Sequence, residues 1–142
     1  MATSTLSPPV RTIATPPTRA ERVALVLLVV GALALSFAIA RDRLTWLLET
    51  EWVLLALPLV AWRWRAFPLT RLLCWLLAAH ALVLIHGGAY TYAQTPLGFR
   101  LRDALEALGF DVVRNPWDRL GHFMQGFVPA ILARELLLRC TT

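Results

Sequence analysis

Asp118 and His122 stand four residues apart. On a helix that spacing puts both side chains on one face, and Gln125 and Pro129 continue it. A carboxylate one turn from an imidazole has three uses. It orients the ring and raises its basicity, as in a general-base pair. With converging partners it supplies two ligands of a metal site. Or it caps the helix, favourable to the dipole, and satisfies a buried histidine. Spacing alone leaves all three open. Glu49, His86, Tyr90, Tyr92, Arg114 and Asn115 are the other candidates for binding a polar group. Glu49 and Glu51 are two apart, so at most one faces a helix bundle. His80 and His86 are six apart, about 120° off a common face, so one helix cannot make them joint ligands. A lone histidine such as His80 reads as a packing residue.

These residues sit in an unusually apolar chain. Of its 142 residues, 58% are hydrophobic and only 16% charged, against roughly a quarter charged in ordinary soluble domains. The mean hydropathy is +0.60. A soluble domain this small cannot hide so much apolar surface. Disorder, coiled coil and a disulfide-stapled module are excluded by the apolar content, the missing heptads and the two cysteines. The composition is that of a small integral membrane protein. Its net charge of +5 comes from 14 basic residues, all arginine, clustered in short groups between apolar runs. That distribution sets membrane orientation rather than marking a nucleic-acid partner. Cys74 and Cys140 have no metal or redox spacing and read as free thiols.

The elements follow from the apolar runs. Residues 1–22 are rich in Ser, Thr and Pro and read as a flexible tail. Four candidate spans follow at about 23–40, 44–62, 69–86 and 118–138, forming one transmembrane helical domain over 23–139. Residues 140–142 are left as a C-terminal end. Ala38-Ile39-Ala40 fits a small-residue cleavage site, but the first run exceeds a usual signal-peptide core, so a retained helix is expected. In the loop 87–117, a pattern of apolar residues predicts an interfacial helix over 99–108. The expected fold is all-α: an integral membrane bundle of about four spans and one interfacial helix.

Arginine placement gives the orientation. The tail and the 63–71 turn are strongly positive, while between Arg100 and Arg119 four arginines stand against four acids. Both termini are therefore expected in the cytoplasm, with the 41–43 turn a mild exception at net +1. This gathers Glu49, His86, Tyr90, Tyr92, Asp118 and His122 at the outer face. Ionisable groups within spans are costly and mark function. More ordinary roles are also readable. Gly87-Gly88 ends a helix and the tyrosines anchor at the headgroups. Arg114 and Asn115 bind an anionic headgroup or cap the last helix, and Arg134 and Glu135 make an ion pair. Phosphate-loop, zincin, C-x-x-C and nucleophile-elbow motifs are missing from the sequence.

Two blocks carry a family resemblance. One is His80-Ala81-Leu82, then Gly87-Gly88-Ala89-Tyr90-Thr91-Tyr92-Ala93, then Pro96-Leu97-Gly98. The other is Arg114-Asn115, then Asp118-Arg119-Leu120-Gly121-His122-Phe123, then Gln125-Gly126-Phe127-Val128-Pro129-Ala130, closed by Arg134-Glu135. With Trp46-Leu47-Leu48-Glu49, they resemble the YjdF-like family of bacterial inner-membrane proteins from about residue 23 onward. The Asp118-Arg119 to His122-Phe123 element is also similar, over a short stretch, to VanZ-like proteins linked to envelope glycopeptide resistance. The first resemblance implies a multi-pass protein of the bacterial inner membrane without an assigned activity. It also implies further spans beyond Arg134-Glu135, so the chain reads as a shortened relative. Pro116-Trp117 departs from the family's polar-aromatic pair.

Three functional readings stay open, and the sequence does not settle whether the protein is an enzyme. One is a His/Asp site at the outer face acting on a lipid or envelope component. There Asp118 orients His122 as base or ligand, and His86, Asp118 and His122 offer a place for a divalent metal. The second is an oligomeric transport or binding component. The third is a structural relative that partners other membrane proteins. Expected partners are membrane lipids and a second copy or other membrane proteins, not nucleic acid.

Overall fold

The structure, a computed structural model, describes residues 15–140. Residues 1–14 of the expected tail and 141–142 of the C-terminal end lie outside the described residues. Five helices account for the fold: α1 (Arg19–Ile39), α2 (Arg43–Arg63), α3 (Arg71–Ala89), α4 (Pro96–Ala107) and α5 (Trp117–Cys140). There is no strand among the described residues, as an all-α reading requires.

Local chemistry sets each start. Thr18 Oγ1 accepts from the Glu21 amide at 3.2 Å, and the Glu21 carboxylate accepts from the Thr18 amide at 3.0 Å. This capping box satisfies two amides at once. It starts α1 at Arg19, so residues 19–22 belong to the helix and not to the tail. Asp42 accepts from the Thr45 amide at 2.6 Å to open α2. Pro96 occupies the first turn of α4, where its missing N–H costs nothing, and the helix expected over 99–108 begins there rather than at 99. The third helix runs past 86 to Ala89, so Gly87 and Gly88 lie inside it and are buried.

Helices α1, α2 and α3 are long and apolar enough to cross a membrane. At 24 residues α5 has the length, but Asp118, Arg119, Arg134, Glu135 and Arg139 interrupt its apolar character. In the middle of the bundle, α3 carries α1, α2 and α5 packed around it, while α1 and α2 touch each other only slightly. Leu25, Val29 and Leu33 of α1, at the i, i+4, i+8 spacing of one face, meet Ala78, Ala81, Leu84 and Ile85 of α3 and Trp46 and Val53 of α2. The buried Trp46 indole donates to Ser36 Oγ at 2.9 Å, which donates to the Leu33 carbonyl, so no polar atom of this pair is stranded. Leu27, Leu35, Leu55, Trp62 and Leu72 face outward. Such a surface is at home against lipid tails and unsuited to water.

Hydrogen bonds fix the two ends. At one, the Arg41 amide donates to the Ala89 carbonyl at 3.3 Å and its guanidinium to Gln94 Oε1 at 3.0 Å. At the other, Arg71 pairs with Glu21 at 2.6 Å. Glu135 there accepts from the Thr70 amide (2.9 Å) and hydroxyl (2.7 Å). The Arg134–Glu135 pair read from the sequence is replaced. Glu135 pairs with Arg139 at 2.6 Å, because residues four apart share a helix face and adjacent ones diverge by about 100°. Arg139 also donates to the Pro68 carbonyl at 2.6 Å. The 64–70 turn and both ends of the described chain thus lie together.

Candidate functional site

Where α2, α3 and α5 approach one another near the Ala89 end, the packing depends on glycine. A Cβ on Gly88 would stand 3.2 Å from the Glu49 Cβ, so its absence lets α2 come close. A Cβ on Gly87 would run into the Tyr92 ring, and one on Gly121 would lie 2.8 Å from Tyr92 Cε1. The Tyr92 ring therefore fills a slot cut from α3 and α5 by two missing side chains. Gly87-Gly88 thus lie in the last turn of α3, close to the helix end expected of them, and they also make room for Tyr92 and α2. The turn delivering the ring is strained. Thr91 and Tyr92 take φ of 56° and 53°, a left-handed conformation that is uncommon outside glycine and an outlier for β-branched threonine. The Tyr92 amide secures it by donating to the Gly87 carbonyl at 2.8 Å.

Above this floor is a cleft of about 180 Å³ lined by Glu49, Tyr92, Asp118, Gly121, His122 and Gln125. His122 Nε2 lies 3.4 Å from Asp118 Oδ1, and the two side chains are 73% and 58% exposed. His122 is therefore not a buried histidine in need of a partner, and an exposed pair of this kind adds little stability. The Tyr92 hydroxyl is buried and makes no hydrogen bond within the chain. Burial, and then the carboxylates of Glu49 and Asp118, push its phenol pKa well up. Tyr92 thus stays protonated and can donate. The cleft sets a fixed hydroxyl donor at its floor against two carboxylates, an imidazole and an amide. That set can hold a hydroxyl or amine and take a proton from it.

Other expected site residues lie elsewhere. His86 and Tyr90 do not join the cleft. Two positions from Gly88, His86 points about 200° away from the face that meets α2. Its ring lies 4.9 Å from that of Trp117 and 5.1 Å from that of Tyr90. The expected His86, Asp118, His122 metal set is therefore not assembled, and among the described residues no three His, Cys, Asp or Glu side chains group to hold a metal. Arg114 is exposed and does not line the cleft. Asn115 is a clamp. Its amide group donates to the Ala93 and Thr95 carbonyls at 3.2 Å, and its Oδ1 accepts from the Trp117 amide at 3.0 Å. Of the two readings for Asn115, capping the last helix is the one realised. Gly121 was missed as a site residue, although it precedes His122 in the block that carries the resemblance. Cys74 and Cys140 are free.

A bundle with three helices able to span a bilayer, and a polar cleft at one end, defines a multi-pass helical membrane protein. Residues 21–142 match the family described as "Predicted membrane protein (DUF2238)", and the chain belongs to that family. It is 49% identical over 100 residues to the inner membrane protein YjdF of Escherichia coli (strain K12). The alignment covers 70% of this chain and 46% of that relative, so the chain spans about half the relative's length. The YjdF-like resemblance read from the residues stands. No solved structure matches the chain.

Proposed function

We propose that the chain is a bacterial inner-membrane protein of four spans, α5 being the fourth. Both termini are cytoplasmic, and the Glu49–Tyr92–Asp118–His122–Gln125 cleft opens at the outer face and acts on a lipid or envelope component. In this reading Asp118 orients His122, which serves as base, while Tyr92 and Gln125 hold a hydroxyl or amine of the substrate. The inner-membrane location is supported by the name of the Escherichia coli relative, and the orientation by the arginine-rich 63–71 turn. One observation carries the proposal: α2, the strained turn and α5 bring ionisable groups to a single cleft, where an ionisable group is costly unless it works. The test is mass spectrometry of envelope lipids and lipid-linked precursors incubated with the purified full chain in vesicles. A species bound or altered by the wild type, and not by His122→Gln or Glu49→Gln, supports the reading. Identical spectra for all three overturn it.

A second reading has its own observation. Asp118 and His122 stand largely exposed on α5, beside the exposed and stacked rings of Phe123 and Phe127, 5.4 Å apart. A second copy covering this face would make the site part of an oligomeric binding or transport component. Concentration-dependent association in detergent, lost in Phe123→Ser/Phe127→Ser, favours it. A monomer at all concentrations rules it out.

A further inference from the structure

On the other side of α3 is a larger cavity of about 400 Å³, within the roughly 300–1,000 Å³ of small-molecule sites. Leu35, Ser36 and Ile39 of α1, Val83 and His86 of α3, and Trp117 of α5 form much of its wall. It lies between two helices able to span the membrane, and its wall is almost wholly apolar. Such a wall offers water few hydrogen-bond partners. Its polar features are few and ordered. His86 Nε2 is buried and makes no hydrogen bond within the chain. One turn further on, Tyr90 lies under the Arg41 guanidinium, 6.0 Å from the ring centre. The Arg41 amide is bonded to the carbonyl of Ala89, itself part of the cavity wall. The neighbouring acid, Asp42, is engaged by the Thr45 amide at the start of α2. From the membrane surface inward the order is a cation, a lone imidazole and an apolar trough. A phospholipid has the matching order of phosphate, ester and acyl chain. Trp117 closes the wall, its own indole N–H already given to the Val83 carbonyl at 3.2 Å.

We infer that this cavity is a binding site for one anionic phospholipid. An acyl chain lies along Leu35, Ile39 and Val83, an ester carbonyl accepts from His86 Nε2–H, and the phosphate meets Arg41. The site is separate from the polar cleft and independent of what that cleft does. The test uses the full chain, purified in detergent with equimolar phosphatidylglycerol and phosphatidylcholine, and reads retained lipids by native mass spectrometry. The wild type retains one phosphatidylglycerol per chain in preference to phosphatidylcholine. Arg41→Gln lowers phosphatidylglycerol affinity about tenfold, the scale of one charge-assisted hydrogen bond, and abolishes the preference. His86→Phe keeps a ring against Tyr90 and Trp117 but removes the donor, and lowers retention of both lipids several-fold. Arg65→Gln, at the opposite end of the bundle, changes neither. Equal retention of the two lipids by the wild type, a preference that survives Arg41→Gln, or retention unchanged in His86→Phe identifies a general lipid annulus and overturns the inference.

Discussion

Tyr92 is the residue on which the polar cleft is built. Its ring stands where Gly87 and Gly121 have no side chains, so the effect of a methyl group there depends on the ring. Gly121→Ala is expected to destabilise the bundle by about 1–3 kcal/mol, the usual range for overpacking. In a Tyr92→Ala background the same methyl meets an empty slot, and most of that cost disappears. Unfolding in detergent micelles measures the cycle, and additive effects would show that ring and glycine do not touch. The hydroxyl gives a second expectation. Burial raises the folded-state pKa of Tyr92, so the protonated phenol is favoured in the fold. Its contribution is whole below the unfolded value of about 10 and is lost as pH climbs above it. The chain has two tyrosines, so Tyr90→Phe leaves Tyr92 alone to be watched. Its tyrosinate absorbance should stay flat through pH ~10 in the folded protein and rise there after denaturation. Ionisation near pH ~10 in the folded state would place the hydroxyl in solvent.

Among the four long helices, α5 departs most from a plain hydrophobic span, and it is tied at its far end by Glu135. That carboxylate accepts from Thr70 twice and from Arg139 once. Removing it in Glu135→Ala strips the start of α3 and Arg139 of an acceptor together. A loss of about 2–3 kcal/mol is expected, as for hydrogen bonds to a charged group, with Glu135→Gln milder because one oxygen still accepts. Equal stabilities of Glu135→Ala and wild type in micelles would show that this tie is idle. Much of this architecture is readable from the residues, since a lipid-facing helix needs an uninterrupted apolar run and leaves one in the sequence. The gathering of Glu49, Asp118 and His122 at one end of the bundle is readable too, because helices that run back and forth dictate which ends meet. Helix starts are harder. The Thr18–Glu21 box is a two-residue signal inside a Ser/Thr/Pro-rich stretch where such residues are common. Radial direction was lost for His86, although counting 100° per residue from Gly88 places it on the opposite face. The Tyr92 slot was out of reach, because nothing local says that Gly87 and Gly121, on different helices, face the same ring.

For the whole molecule, the arrangement of ends is a topological statement. Glu21 with Arg71, and Glu135 with Thr70, put residues 15–22, the 64–70 turn and the end of α5 on one side of the bundle. With α5 as the fourth span, reporter fusions at Thr95 and Thr142 should read outside and inside respectively. The reverse pattern would move the polar cleft to the cytoplasmic face and end the proposal of an envelope substrate. The central place of α3 also sets a timetable. Because α1, α2 and α5 lean on it and only slightly on one another, the bundle cannot close before α3 is made. When α3 arrives, Glu49 and Gly88 can meet, but the Tyr92 ring then has only one glycine behind it. The second wall comes with α5, the last of the described helices to be made. Until Gly121 comes against that ring, the slot stays open on one side and the cleft lacks Asp118, His122 and Gln125.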